Sequence, residues 1–179
     1  MKEEILFAGF GGQGIMFMGK AIAYAAMNEG KHVTWIPSYG AEVRGGTAYS
    51  MVVISDEAIA SPLIKEPTIC VAMNSPSFQK YEAKVKTKGL LIINRSLIDS
   101  EAKRKDIEIL NIPITALASE AGDHRIGNMV ALGALLGKRK IIALESLING
   151  LKDIVSSTYH NLLSVNEKAI RKGFEHGSR

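Results

Sequence analysis

The amino-acid sequence predicts one α/β domain over residues 1–179, a Rossmann-like sheet that is mostly parallel or mixed and is flanked by helices. Three observations predict it. A glycine-rich segment, residues 9–14, follows an apolar strand-like run and precedes a helix-like stretch. Residues 68–73 and 89–94 are continuous apolar runs of strand length, as expected of strands buried on both faces. Helix-like segments alternate with these strands, which favours parallel pairing.

Turn chemistry divides the first third of the chain into short elements. Gly30 stands where a helix C-cap glycine would, and Pro37 suits a strand end because proline cannot donate to a central ladder. We expect the region 48–59 to be an antiparallel excursion. The predicted elements are a strand at 5–9, a helix at 14–29, a strand at 32–37, a loop at 38–47, a strand at 48–55 and a short returning segment at 58–62.

The rest of the chain continues the alternation. Residues 118–136 carry long apolar stretches and are predicted to be helical in their second half. The other predicted elements are strands at 68–73, 89–94 and 107–112, and helices at 77–88, 143–155 and 165–174.

Composition limits the class of protein. Of the 179 residues, 46% are hydrophobic and 22% are charged, and no apolar run is long enough to cross a bilayer. The N-terminal residues do not resemble a signal peptide, so we expect a cytoplasmic protein with no membrane partner. Cys70 is the single cysteine and lies in an apolar strand, which indicates an inert core thiol. Any iron–sulfur cluster that the function needs must then sit on another chain.

The net charge of +4 is unevenly placed. Residues 61–179 carry 18 Lys and Arg against 12 Asp and Glu, mostly in short clusters. Solvated helix ends and loops explain these clusters, and docking of an acidic partner is the alternative. Nucleic-acid binding is not expected, since no aromatic residues interleave them. The clusters are Lys80/Lys84/Lys86/Lys88, Lys103-Arg104-Lys105 and Lys138-Arg139-Lys140.

The first candidate site is the glycine-rich turn. Its glycines allow a ligand to approach the backbone, and the following helix N-terminus favours an anion such as a phosphate. Gln13 is placed to hydrogen-bond a ligand. A dinucleotide site is disfavoured because the nearest acid after strand two, Glu42, lies inside a loop, and a tight packing turn is the structural alternative. The candidate residues are Gly9, Gly11, Gly12, Gln13 and Gly14.

A second candidate site follows strand two, which should end at the same sheet edge as the glycine turn. Arg44, flanked by two glycines, has room to bind a phosphate or carboxylate through its guanidinium group. Glu42 could orient Arg44 or pair with a partner subunit, and an ordinary surface loop is the alternative. The candidate residues are Tyr39, Glu42, Arg44, Gly45 and Gly46.

The third motif surrounds Asn128. Asn128 stands where an apolar helix begins, so it is either a ligand contact or simply an N-cap. Gly133, further along, indicates close packing against a neighbouring element. His124 is the only plausible proton carrier, no metal-ligand spacing is present, and catalytic residues stay unknown.

Together, the segments Gly-Phe-Gly-Gly-Gln-Gly, Ser-Tyr-Gly-Ala-Glu-Val-Arg-Gly-Gly and Gly-Asn-Met-Val-Ala-Leu-Gly-Ala resemble the gamma subunit of 2-oxoacid:ferredoxin oxidoreductases. The resemblance extends from Ile5 to about Leu136. It implies a multi-subunit enzyme that decarboxylates a 2-oxoacid on thiamine diphosphate, passes electrons through [4Fe-4S] clusters to ferredoxin and transfers the acyl group to coenzyme A. The implied partners are the alpha and beta subunits, with delta as a further candidate, and an isolated gamma chain could form a homodimer.

The resemblance also implies roles for the motifs. The glycine turn would contact cofactor phosphates, Arg44 would clamp an anion with Glu42 beside it, and Asn128 would lie near the same edge. The loop Tyr-Gly-Ala-Glu-Val-Arg-Gly-Gly is closer to the 2-oxoglutarate and branched-chain 2-oxoacid types than to the pyruvate type, and we favour 2-oxoglutarate. The alternative is a stand-alone nucleotide- or coenzyme A-binding module.

Overall fold

The computed structural model describes residues 1–39 and 47–179, without the side chain of Tyr39. These residues form one α/β domain around a six-stranded mixed sheet, as predicted, with strand order β2-β3-β1-β4-β5-β6. The strands are β1 (Lys2–Phe10), β2 (His32–Tyr39), β3 (Thr47–Ser55), β4 (Ile69–Ala72), β5 (Leu90–Asn94) and β6 (Glu108–Ile112).

Helices connect the strands and cover both faces of the sheet. They are α1 (Ile15–Asn28), α2 (Ser75–Tyr81), α3 (Ile114–Ala121), α4 (Gly127–Lys138), α5 (Leu144–Ile154) and α6 (Leu163–Gly177). Short 3₁₀ turns occupy Glu82–Lys84, His124–Ile126 and Ser157–Leu162. Within the described residues, no helix is both long and apolar enough to span a membrane.

The antiparallel excursion is confirmed. Strand β3 runs antiparallel to both β1 and β2, whereas β1, β4, β5 and β6 are parallel. At one end of β3, Thr47 pairs with Phe10 and Ala48 pairs with Tyr39. The last residues of β1 and β2 therefore lie at the same sheet edge, one strand apart.

The two faces of the sheet carry separate apolar clusters. Alternate residues of β1, Ile5 and Phe7, pack with α1, α4, α5 and α6, whereas Leu6 and Ala8 pack with α2 on the opposite face. The period of two in a strand produces this division. Cys70 lies fully buried in the second cluster, where desolvation raises the pKa of its thiol to about 12. The predicted place of Cys70 in the core is confirmed.

Several predicted elements differ from the structure. Strand two does not end at Pro37 but continues to Tyr39, and β2 accommodates the proline because it is an edge strand. The helix expected at 77–88 is shorter and begins earlier, because the Asn74 side chain accepts from Ser77 N at 2.9 Å and caps a helix that contains Pro76 in its first turn. The region 118–136 holds two helices rather than one, since Gly122, with φ +129°, ends α3. Residues 58–62 form neither strand nor helix.

Helices α4 and α6 meet at backbone distance. A Cβ built on Gly133 would overlap the carbonyl oxygen of Ile170, and one built on Gly173 would overlap that of Val130. The predicted close packing at Gly133 is therefore confirmed. Gly137 and Gly177 continue the same contact toward the helix ends.

Replacing Gly133 with Ala should destabilise the domain by about 2 kcal/mol, because the new methyl group meets rigid backbone rather than a movable side chain. Thermal unfolding should show a fall in Tm of about 4–8 °C. Gly150→Ala in α5 is the matched control, since its Cβ would face the movable ring of Tyr24 at 3.3 Å. Equal stability of the two variants would contradict the backbone contact.

One of the basic clusters is paired within the chain. Lys138 Nζ and Arg139 Nη2 each lie 2.7 Å from a carboxylate oxygen of Glu108 at the start of β6. The hydrogen bond from Lys138 is the main cause that lowers the pKa of Glu108, and Arg139 adds to it. These two cations fix the end of α4 to the sheet.

Glu108→Gln should lower the stability of the domain at neutral pH by about 0.5–1 kcal/mol, a small effect because all three side chains are partly exposed. The contribution of Glu108 is complete above its unfolded-state pKa, about 4.3, and disappears as the pH falls through its lower folded-state value. Urea unfolding at pH 7 and pH 3 should therefore give a difference that shrinks in acid. Exposed Glu175→Gln is the control, and a difference independent of pH would refute the assignment.

Candidate functional site

The glycine turn joins the end of β1 to α1 and has an exposed, unusual backbone. Gly12 and Gly14 have φ values of +96° and +70°, which side chains with a Cβ rarely adopt. A Cβ placed on Gly11 or Gly12 would meet no atom within 4 Å. The backbone of these two residues is thus open to a ligand.

The electrostatics of the turn favour an anion. Gly14 directly precedes α1, a helix of 14 residues with no acidic residue in its first turn. The first N–H groups of a helix carry partial positive charge and lack intrahelical acceptors. In the described part of the chain, no acceptor meets the N–H of Gly11, Gly12 or Gly14. The turn can therefore hold a phosphate or a carboxylate group through its backbone.

The Gln13 side chain makes three hydrogen bonds within the chain. Its Oε1 accepts from Phe10 N at 2.8 Å and from Asn74 Nδ2 at 3.2 Å, and its Nε2 donates to the Met73 carbonyl at 3.2 Å. Gly9 belongs to the same arrangement, since a Cβ there would lie 2.6 Å from Gln13 Oε1. Gln13 thus holds the turn through hydrogen bonds, and Gly9 leaves room for the Gln13 side chain. Gln13 also lines the cavity beside the turn, and its contact with a ligand stays a prediction.

Further hydrogen bonds from a side-chain amide lie along the same sheet edge. Asn94, fully buried at the end of β5, donates through Nδ2 to the Met73 carbonyl at 3.3 Å and to Thr115 Oγ1 at 3.2 Å. Sequence reasoning missed Asn74, Asn94 and Thr115 as site residues. The available signal was that each stands at or just after the carboxyl end of a predicted strand.

A cavity of about 240 Å³ opens beside the turn. Its walls combine polar groups with the apolar side chains of Met73 and Leu97. His124 and Arg125 lie at its exposed rim, and Arg125 Nη2 binds Asp123 at 2.7 Å. That bond lowers the pKa of Asp123 to about 2, so the Asp123–Arg125 pair stays charged near neutral pH. The remaining lining residues are Gly12, Gln13, Thr115, Gly127 and Asn128.

Asn128 is in this wall but is not the N-cap of its helix. Helix α4 begins at Gly127, and the Asn128 Oδ1 accepts from Met129 N at 3.1 Å. The Asn128 amide packs against Gly14 so closely that a Cβ on Gly14 would overlap its Nδ2. The structure therefore brings the first and third motifs together.

A second cavity, of about 280 Å³, lies on the other side of the turn. It is lined by Gly11, Gly12 and Gly14, by the first residues of α1 and by Ala48 of β3. Ala48 pairs with Tyr39, the last residue of β2. The second motif therefore starts at this edge, whereas Glu42, Arg44, Gly45 and Gly46 lie outside the described residues. In residues 1–39 and 47–179, no cluster of His, Cys, Asp or Glu could hold a metal.

Comparison with known proteins finds a matching family and similar proteins. The model of the family "Pyruvate ferredoxin/flavodoxin oxidoreductase" matches residues 4–176. The chain is 36% identical to the 2-oxoglutarate synthase subunit KorC of Methanocaldococcus jannaschii, over 98% of this chain and 94% of that protein. It is 33% identical to the ketoisovalerate oxidoreductase subunit VorA of Methanothermobacter marburgensis, over 95% of this chain and 35% of that protein. The chain thus spans about a third of the length of VorA.

Solved structures share the fold over nearly the whole chain. The gamma subunit of a keto/oxoacid ferredoxin oxidoreductase from Geobacter sulfurreducens is 28% identical, with a TM-score of 0.86 over 99% of this chain and 97% of that one. A 2-oxoglutarate:ferredoxin oxidoreductase from Magnetococcus marinus, solved with 2-oxoglutarate, coenzyme A and succinyl-CoA bound, is 28% identical, with a TM-score of 0.89 over 98% of this chain and 31% of that one. The resemblance to gamma subunits is confirmed. The chain belongs to the pyruvate ferredoxin/flavodoxin oxidoreductase family.

Proposed function

We propose that this chain is the gamma subunit of a multi-subunit 2-oxoacid:ferredoxin oxidoreductase that converts a 2-oxoacid to its acyl-CoA and passes the electrons to ferredoxin. The observation that carries the proposal is the end-to-end similarity to a KorC subunit, which spans 98% of this chain and 94% of that protein. The proposed unit is a single gamma domain over residues 1–179, working in the cytoplasm with alpha and beta subunits and with delta as a further candidate.

The cofactors divide between this chain and its proposed partners. A [4Fe-4S] cluster is held by four thiolates, and Cys70, the single cysteine of the sequence, is fully buried. The clusters do not fit this chain and belong to the partner subunits in the proposal, together with thiamine diphosphate. Thiamine diphosphate supplies the carbanion stabilisation that 2-oxoacid decarboxylation needs.

Coenzyme A fits the glycine turn. Its phosphates are anions, and the turn offers open backbone at Gly11 and Gly12 directly before a helix N-terminus. In the proposal, Arg44 clamps a phosphate from the second motif, Glu42 orients Arg44, and Tyr39, Gly45 and Gly46 border the same approach. Asn128 contributes its amide from the opposite side of Gly14.

For the substrate we favour 2-oxoglutarate over a branched-chain 2-oxoacid. The loop Tyr-Gly-Ala-Glu-Val-Arg-Gly-Gly supports this choice, and so does the end-to-end match to a 2-oxoglutarate synthase subunit. The similarity to VorA keeps the branched-chain acid as the competitor to be tested.

Affinity purification of this chain from its source cells under anaerobic conditions tests the assembly. We expect it to bring down larger partners that contain thiamine diphosphate and iron, and the complex to reduce ferredoxin when coenzyme A and a 2-oxoacid are added. The value of kcat/KM should be at least about tenfold higher for 2-oxoglutarate than for 2-oxoisovalerate or pyruvate, because the second carboxylate of 2-oxoglutarate and the alkyl groups of the other two acids need different pockets.

Untagged cells treated in the same way are the control for that purification. A chain recovered alone, without thiamine diphosphate or iron, would support a stand-alone nucleotide- or coenzyme A-binding module instead. A preference for 2-oxoisovalerate would leave the gamma-subunit assignment intact and overturn the choice of substrate.

Gly11→Leu should raise the KM for coenzyme A at least about tenfold, because its Cβ enters the open space over the turn and the rest of the side chain takes up room that the cofactor needs. Arg44→Ala should weaken coenzyme A to a similar degree through loss of a charged phosphate contact. Steady-state kinetics of the assembled complex would measure both, with exposed Ala83→Leu as the control. Normal coenzyme A kinetics in both variants would remove the turn and Arg44 from the cofactor site.

A further inference from the structure

The sheet has a topological switch between β1 and β4. These strands are parallel neighbours, but α1 follows β1 into one apolar cluster and α2 follows β4 into the other, on the opposite face. Helices that leave neighbouring strands in opposite directions open a crevice at the carboxyl ends of those strands. In open α/β sheets, ligands commonly bind in such a crevice.

In this chain the Gln13 carboxamide bridges that crevice. Its Nε2 donates to the carbonyl of Met73, just beyond β4, at 3.2 Å. Its Oε1 accepts from Asn74 Nδ2 on the far side at 3.2 Å and from Phe10 N on the near side at 2.8 Å. Two of these hydrogen bonds join the turn after β1 to the turn after β4, and the third holds the Gln13 side chain against the end of β1.

The bridge is anchored on its far side as well. The Met73 carbonyl also accepts from buried Asn94, and Asn74 Oδ1 is held by Ser77 N at the start of α2. The groups that Gln13 binds are therefore fixed independently of it. The Met73 carbonyl and the Asn74 side chain are held in place, whereas the turn itself consists mostly of glycines. Gln13 is therefore the side chain that determines the position of the turn.

We propose that Gln13 is a positioning residue that holds Gly11 and Gly12 in their ligand-binding conformation. The inference rests on the proposed function in one respect, the identity of the anion as coenzyme A. Glycine backbone has many accessible conformations, and ordering it only on binding would weaken affinity. The Gln13 bridge orders it beforehand.

The test uses Gln13→Ala and Gln13→Glu in the assembled complex, with exposed Gln79→Ala as the matched control. Alanine removes all three bonds. Glutamate keeps the volume and the two acceptor contacts, but places a carboxylate oxygen against the Met73 carbonyl. Both variants should raise the KM for coenzyme A about tenfold and leave the KM for the 2-oxoacid unchanged. Amide hydrogen exchange in a peptide covering residues 9–17 should become faster, whereas exchange in β5 should not.

The outcomes separate the bridge from the proposed function. Unchanged exchange in the turn of both variants would overturn the positioning role. Faster exchange with an unchanged KM for coenzyme A would also overturn it, because the turn would then be ordered by Gln13 without serving the ligand. A wild-type complex with no 2-oxoacid-dependent ferredoxin reduction would instead refute the proposed function, and the exchange data would still report on the bridge.

Discussion

The nine-residue ladder between β1 and β3 is the interaction on which the site depends. It runs from Lys2 opposite Ser55 to Phe10 opposite Thr47 and inserts an antiparallel strand where a parallel fold would place β2 beside β1. Because β3 is antiparallel, its first residues meet the last residues of β1. Tyr39 at the end of β2 and Thr47 at the start of β3 therefore lie at the edge that holds the glycine turn, about 30 residues away in sequence.

Helix packing on the face of the sheet that α1 covers adds the third motif to the site. Helix α4 lies against α6 with no side chain between their backbones at Gly133 and Gly173, and a Cβ on Gly127, at its N-terminus, would lie 3.7 Å from Met73 Cε. Asn128, at that N-terminus, then packs on Gly14. Contacts between elements far apart in sequence thus place Asn128 beside the glycine turn, which its local sequence does not predict.

Much of the fold was predictable from local pattern. The buried strands β4 and β5 are continuous apolar runs, and the glycine turn separates a strand from a helix whose ends agree with the sequence within a residue or two. The division of residues 114–138 into two helices could not be predicted in this way, because α3 begins after Pro113 without a polar side-chain cap that would mark its start. Local sequence also could not reveal the partners of Gln13, since Met73 and Asn74 lie about 60 residues further along the chain.

The backbone contact between α4 and α6 limits how α6 can move. Carbonyl oxygens of one helix occupy the places where the other would carry Cβ atoms, at four glycines in two successive pairs. Rotating α6 about its axis, or sliding it by one residue, would bring a side chain into this space. The contact therefore opposes rotation of α6 and a shift of α6 by one residue. Strain that reaches the connection between α5 and α6 must be released by bending there or by detaching α6 completely, and detachment would expose Ala169 and Ile170 together with the apolar face of α4.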